Sequence, residues 1–223
     1  MTTRIVAISD THCMHDKLDL PEGDVLVHGG DFCGRGSIRQ VAEFAEWLAA
    51  QPHPHKVVIA GNHDRAIEDD PDLAGQLFDA PGVTYLHDSG ATVAGLRFYG
   101  SPWQPWFMNW AFNLRRGEPL REKWALIDPE VDVLVTHGPP HGVLDFTTRH
   151  EHVGCADLSD AIARVRPRLH IFGHIHEGYG AEERDGTLHV NASNCTVRYR
   201  PTNPPIVVDV TDTGCVVVEN APG

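Results

Sequence analysis

The 223-residue chain is 41% hydrophobic and 22% charged, which supplies one sizeable core and excludes a disordered chain. It has no apolar run of about 18 residues that would span a membrane. Eighteen Lys and Arg against 31 Asp and Glu leave a net charge of −13, without the basic footprint that holds long nucleic acid by its phosphates. The length predicts a single domain over residues 1–223. The opening Met1-Thr2-Thr3-Arg4-Ile5-Val6 lacks the charged-then-apolar layout of a signal peptide. Cys13, Cys33, Cys155, Cys195 and Cys215 form no Cys-x-x-Cys pair, so free thiols in the cytoplasm are expected.

In chain order, β-branched runs predict strands at Arg4–Ile8 and Val25–His28. A helix is predicted over Ser37–Gln51, with Val41, Phe44, Ala45 and Leu48 on one face, a Ser37/Gln40 capping box and a stop at Pro52. A strand follows at Lys56–Ala60, and Pro71 and Pro119 mark first turns of short helices. Glu68-Asp69-Asp70 reads as a solvated helix start. After the strand Val131–Thr136, a second amphipathic helix spans Asp157–Arg166, with Leu158, Ala161, Ile162 and Val165 inward. Strands His170–Phe172, Leu188–Val190, Ile206–Val210 and Cys215–Glu219 complete the chain. This alternation followed by strands implies an α/β fold with one mixed sheet or two packed sheets. The strand-rich segment from Leu188 offers a surface for a homodimer.

Five strands run into side chains of one chemical kind. They are Asp10-Thr11-His12, Gly30-Asp31, Gly61-Asn62-His63-Asp64, His137-Gly138 and Gly173-His174-Ile175-His176. The carboxyl ends of strands are where open α/β sheets bind ligands. The pairs Asp10/His12 and His174/His176 are two residues apart, so in extended backbone both members face one site. Two Asp, one Asn and four His are too many for one tetrahedral ion. They suit two ions sharing a carboxylate, the usual device for attack at phosphorus. His28 reads as a hydrogen-bonded core residue, and His53, His55, His87, His150, His152 and His189 as surface or loop residues. His141 follows the His137 loop and is a candidate neighbour of the site.

These five motifs, in this order from Ile5 to His176, resemble the calcineurin-like metallophosphoesterase family. Ser101-Pro102-Trp103-Gln104-Pro105-Trp106, Trp110–Leu114, Thr136–Pro140, His174–Gly180 and Pro201–Pro205 resemble its metallophosphoesterase domain-containing branch, which is similar to class III cyclic-nucleotide phosphodiesterases. The resemblance implies a four-layer α/β/β/α sandwich of two mixed β-sheets flanked by helices. It implies one metal on Asp10, His12, Asp31 and His176, and a second on Asp31, Asn62, His137 and His174, with Asp31 bridging. His63 would be the general acid or transition-state stabiliser, with Asp64 orienting its ring. Two divalent ions are expected, Mn first, with Fe, Zn or Co accepted.

The implied activity is a phosphodiesterase acting on small phosphodiesters, 2′,3′- or 3′,5′-cyclic nucleotides among them, by attack of a hydroxide held between the metals. A phosphomonoesterase or nuclease with the same site stays open, as does a nucleotide-binding scaffold. The implied partner is a small phosphoester or nucleotide, with neither a membrane nor long nucleic acid. Trp103, Trp106, Trp110 and Phe112 read either as a lid or base-stacking wall or as aromatic core, and Asn113 goes with them. Arg115 or Arg116 is positioned to grip phosphate or ribose, and Cys33 sets a soft thiol beside Asp31.

Overall fold

The computed structural model describes residues 2–218; Met1 and Glu219, the last residue of the final expected strand, lie outside them. In chain order the elements are β1 (Thr3–Ile8), β2 (Val25–His28), α1 (Ile38–Ala50), β3 (His55–Val58), α2 (Arg65–Asp69), α3 (Asp72–Leu77) and β4 (Val83–Tyr85). Next come β5 (Ser89–Val93), β6 (Leu96–Ser101), β7 (Gln104–Pro105), β8 (Asn113–Leu114), α4 (Glu118–Ala125) and β9 (Val133–Thr136). The chain continues through α5 (Ala156–Val165), β10 (Leu169–Phe172), β11 (Gly180–Arg184), β12 (Thr187–Asn191), β13 (Ile206–Thr211) and β14 (Gly214–Val218).

Two mixed sheets form, ordered β14-β13-β1-β2-β3-β4 and β11-β12-β10-β9-β6-β5. Strands β1 to β4 are parallel, as are β6, β9, β10 and β12; antiparallel partners extend the sheets at their edges. Alternation along the strands decides the layers. Ile5, Ala7, Val25, Val27, Val57 and Ile59 face Phe98, Val133, Val135, Leu169, Ile171 and Val190 across the gap between the sheets. Val6, Ile8, Leu26 and Val58 face outward onto Val41, Phe44, Leu48 and Ile67 of α1 and α2. Tyr99 and Leu134 meet Leu120, Trp124, Leu158 and Ile162 of α4 and α5. The result is the expected four-layer α/β/β/α sandwich. Strands covered on both faces read as unbroken apolar runs, which is why the central ones are visible in the sequence.

Local chemistry refines several expectations. Ser37 Oγ caps α1 by accepting the Gln40 N–H at 3.3 Å, but the Gln40 side chain accepts from Arg35 N–H at 3.0 Å, so the reciprocal half of the capping box is absent. Glu68 lies in the first turn of the short α2, but its Oε1 accepts the Phe112 N–H at 2.6 Å instead of being left to solvent. His189 in β12 and His55 in β3 are strand residues, contrary to the surface-or-loop expectation; His189 and the loop residue His53 are buried, at 3% exposure each. His53 Nε2 donates to Pro21 O at 3.0 Å, and the His189 ring packs against His170. His28 is the expected core histidine. Its Nδ1 accepts the Gly30 N–H at 3.1 Å, which leaves Nε2–H to donate to Thr11 Oγ1 at 3.0 Å.

Phe32 and Phe44 stack at 4.3 Å under the outer face of the first sheet, with the His28 ring edge-on to Phe44 at 4.8 Å. Phe44→Ala empties that stack and is expected to destabilise the fold by about 3–5 kcal/mol, read from the denaturant midpoint at unchanged slope. Burial lowers His28 to about 3. The unfolded chain therefore takes up a proton near 6.5, while the folded protein refuses it until about 3. Stability carried by neutral His28 is present above about pH 6.5 and is lost as pH falls below it. His28→Leu is expected to flatten the acid limb of the stability profile between those two values.

Candidate metal centre

All five motifs converge where the two sheets meet. An isolated bridge joins Ser9 to Ser193, and the loops are laced by Asp10 N–H to Gly30 O at 2.9 Å and Gly173 N–H to His137 O at 2.9 Å. The two-residue spacing does not work through extended backbone as expected. Asp10, His12, Cys13, Asp31 and His174 all have left-handed φ, at 54°, 44°, 63°, 58° and 67°. Each such non-glycine residue stores about 1–3 kcal/mol of strain, and Asp and His tolerate the region better than most residues. Tight reversals therefore aim the side chains inward. Gly61 and Gly173 permit close approach: a Cβ at Gly61 would lie 2.6 Å from the His137 ring and closer still to Asp31 Oδ1, and one at Gly173 would collide with Asp10 Oδ2 and Ser9 Oγ.

The imidazoles are oriented by backbone carbonyls. His12 Nδ1 meets Cys33 O at 3.2 Å, His137 Nδ1 meets Gly29 O at 2.9 Å and His176 Nδ1 meets Thr196 O at 3.0 Å. A carbonyl only accepts, so each Nδ1 carries its proton and each Nε2 turns to the centre. There His12 and His176 Nε2 lie 3.4 Å apart, and His176 Nε2 lies 3.3 Å from Asp10 Oδ1. His137 Nε2 lies 2.9 Å from Asn62 Oδ1 and 3.4 Å from Asp31 Oδ1. Asp10, His12 and His176 form one group able to share an ion, and Asp31, His137 and His174 another. Asp31 also meets His12 and His63, which puts it between the groups.

This arrangement fits metal ions. Lone pairs of nitrogen and oxygen face one another in a buried space and call for positive charge between them. Imidazole, carboxylate and amide oxygen together suit divalent transition metals. Burial alone would raise Asp10 and Asp31, but the facing imidazoles hold both carboxylates well below their ordinary range. Burial alone would lower His137, yet Asp31 overrides it and lifts the ring to about 9. Burial and His137 together depress His174 to about 3.

His63 and Asp64 do not pair as expected. His63 Nδ1 donates to Gly34 O at 2.8 Å, and its Nε2 faces Asp31 Oδ2 at 3.9 Å. The Asp64 carboxylate instead accepts N–H groups from Asp31 at 2.9 Å, Cys33 at 2.9 Å and Gly61 at 2.8 Å. Asp64 thus clamps two ligand-bearing loops together, and the carbonyl of Gly34 orients the His63 ring. The Cys33 thiol is fully buried, burial with the nearby Asp64 charge pushes it far up, and it belongs to none of the groups of side chains close enough to share an ion. What Cys33 gives the site is its carbonyl.

The aromatic segment divides. Trp103 is part of the core: its Nε1–H donates to Asp88 Oδ2 at 2.9 Å and Lys123 sits 4.5 Å over its ring. Trp106 is exposed and lines a 390 Å³ cleft with Phe107, Arg116, Arg149, His174 and Glu177. Asn113 spends its amide inside the loop, donating to the carbonyls of Phe107 at 3.1 Å and Trp110 at 3.0 Å. Arg115 is exposed, whereas Arg116 reaches the cleft and donates to Val153 and Gly154 carbonyls at 2.6 Å each. His141 packs on His152 and lines a separate cavity with His189, not the metal centre. Tyr199 joins the site without belonging to any of the motifs. Its ring lies 4.8 Å from His12 and 5.6 Å from His176 and, with Val197, it lines the 180 Å³ mouth over Asp31 and His63. No sequence signal marks it, because the contact joins residues far apart in the chain.

The geometry agrees with what the chain is similar to. The calcineurin-like phosphoesterase model matches residues 3–178. The human Metallophosphoesterase domain-containing protein 1 is 48% identical over 93% of this chain and 71% of its own length. The Caenorhabditis elegans UPF0046 protein K07C11.7 is 36% identical over 92% of this chain and 74% of its own. Among solved structures, TT1561 of Thermus thermophilus shares the fold at a TM-score of 0.65 and 13% identity, covering 98% of this chain and 99% of that one. The chain belongs to the calcineurin-like phosphoesterase family. That family binds divalent metals and suggests a hydrolase of phosphoester bonds. Among the described residues, no helix is long and apolar enough to cross a membrane.

Adding Mn²⁺ to metal-stripped protein is expected to raise the unfolding temperature, by the equivalent of about 2.7 kcal/mol at a hundredfold excess over Kd. The gain should shrink as pH falls through about 9, where a proton begins to compete for His137 Nε2, and should be largely lost in Asp31→Asn. Differential scanning calorimetry reads both.

Proposed function

We propose that this protein is a dimetal phosphodiesterase of small phosphodiesters, cyclic nucleotides among them. The carrying observation is the convergence of three Nε2 lone pairs on Asp10 and Asp31 with His63 Nε2 at their edge. Asp10, His12, Asp31 and His176 would hold one ion, and Asp31, Asn62, His137 and His174 the other. Mn suits this mixed donor set, and Fe, Zn or Co are accepted alternatives. Bound there, the ions supply charge for the phosphoryl oxygens and a lowered pKa for the attacking water.

The chain's own residues supply the rest. His63 keeps Nδ1–H on Gly34 O and, when protonated, delivers the Nε2 proton to the leaving oxygen. Asp64 keeps the Asp31 and Gly61 loops in register. The 390 Å³ cleft beside His174 is of small-molecule size, with Trp106 and Phe107 for an apolar or aromatic group and Arg149 for an anionic one. The shared core between the sheets supports one domain over residues 1–223. Five unpaired thiols support a reducing compartment such as the cytoplasm.

The test is metal-stripped protein assayed with bis(p-nitrophenyl) phosphate and p-nitrophenyl phosphate as Mn²⁺ is restored. Diester turnover that appears with metal and exceeds monoester turnover is expected. Preference for the monoester would make the protein a phosphomonoesterase. No turnover of either with metal bound would leave a nucleotide-binding scaffold. His63→Asn is expected to lose roughly 10²–10⁴-fold on a diester with a poor leaving alcohol, at unchanged metal content.

A further inference from the structure

The loop between β7 and β8 lays one indole on the ring of His63. Trp110 and His63 stack with centroids 4.1 Å apart and planes 27° apart, and His12 meets His63 edge-on at 4.6 Å. The loop is bound to the segment that carries His63. Ala111 N–H donates to Asn62 O at 3.1 Å, Phe112 N–H to Glu68 Oε1 at 2.6 Å, and Arg65 Nη2 to Asn109 O at 2.7 Å. Asn113 holds the Trp110 carbonyl from within the loop at 3.0 Å. Residues on both sides of Trp110 are therefore fixed to Asn62–Glu68. The indole face turned toward the centre is covered by His63.

We propose that Trp110 is a positioning residue for His63. The hydrogen bond to Gly34 fixes one edge of the imidazole but leaves the ring able to swing, because the Cβ–Cγ torsion is broad. The indole closes one face and His12 blocks the side, so Nε2 stays aimed past Asp31 toward the leaving oxygen. Misplacing a catalytic group by an ångström can cost about 10²-fold, so the stack bears directly on turnover. The proposal rests on the reading of His63 as the group that protonates that oxygen.

The test compares Trp110→Leu, Trp110→Phe, His63→Asn and the double variant Trp110→Leu/His63→Asn as Mn²⁺-loaded enzymes. The substrates are phenyl and p-nitrophenyl phosphodiesters, which differ in how much the leaving group needs an acid. Trp110→Leu is expected to lower kcat on the phenyl diester by about tenfold or more, with KM and metal content unchanged and little effect on the p-nitrophenyl diester. Trp110→Phe keeps an aromatic face and should restore most of the rate. In the His63→Asn background, Trp110→Leu should add no further loss. A readout without turnover is the NMR spectrum of the metal-free protein. The His63 ring C–H signals, identified by their absence in His63→Asn, should lie upfield from the indole ring current and return to ordinary positions in Trp110→Leu.

An equal loss on both diesters, a rise in KM alone, a loss that persists without His63, or unshifted His63 signals would each overturn the proposal. Wild-type protein that turns over neither diester overturns the phosphodiesterase reading, and an upfield shift would then establish the stack alone. Active wild-type enzyme with an uncoupled Trp110 overturns the positioning role and leaves the phosphodiesterase reading intact.

Discussion

Three imidazoles commit their Nδ1–H groups to backbone carbonyls, so each turns its Nε2 to whatever lies between them. Here those atoms face two buried carboxylates and each other, and without a metal the positive charge between them is carried as protons, with His137 lifted to about 9 by Asp31 and His176 raised by Asp10, both against burial. The carbonyls belong to Gly29, Cys33 and Thr196, on loops that leave both sheets. The His137–Gly29 bond crosses from one sheet to the other, so the orientation of His137 depends on the packing of the two sheets. The strain of five left-handed residues persists because the surrounding hydrogen bonds over-determine it.

Asp64 shows how this constraint spreads. A buried carboxylate between two loops is costly unless its lone pairs are filled. Three backbone N–H groups fill them, and those N–H groups belong to the loops bearing Asp31 and Asn62. Burial and the Asp31 charge push Asp64 upward, and the three donors pull against them by favouring the ionised form. The carboxylate therefore acts through the backbone, holding the separation between Asp31 and Gly61. A side chain pointing at His63 would hold neither loop.

Much of the sandwich is legible because its central strands are covered on both faces and end at glycines or polar residues. The β5–β6 hairpin is hidden because its turn, Ala94-Gly95, takes left-handed φ of 49° and 80° with alanine where Asn, Asp or Gly would signal it. Strand β11 is hidden by its polar residues, although Asp185-Gly186 before β12 is the turn signal that marks it. At the site, donor identity is visible as motifs, but orientation is not. Whether Asp64 faces His63 or a backbone loop, and whether Trp103 or Trp110 meets the centre, is settled by contacts between segments far apart in the chain. Adjacency in sequence suggests Asp64 as the partner that orients His63; tertiary geometry selects the Gly34 carbonyl for that place.

A chain with a net charge of −13 has to build its affinity for an anion locally. Asp10 and Asp31 add negative charge at the centre, so cations bound there serve first to neutralise them and only then to attract phosphate. Arg116 anchors the cleft wall by its carbonyl hydrogen bonds, while Arg149 lines the cavity at the edge of the site. The same charge distribution makes the hold of the centre on any anion depend on the cations bound there.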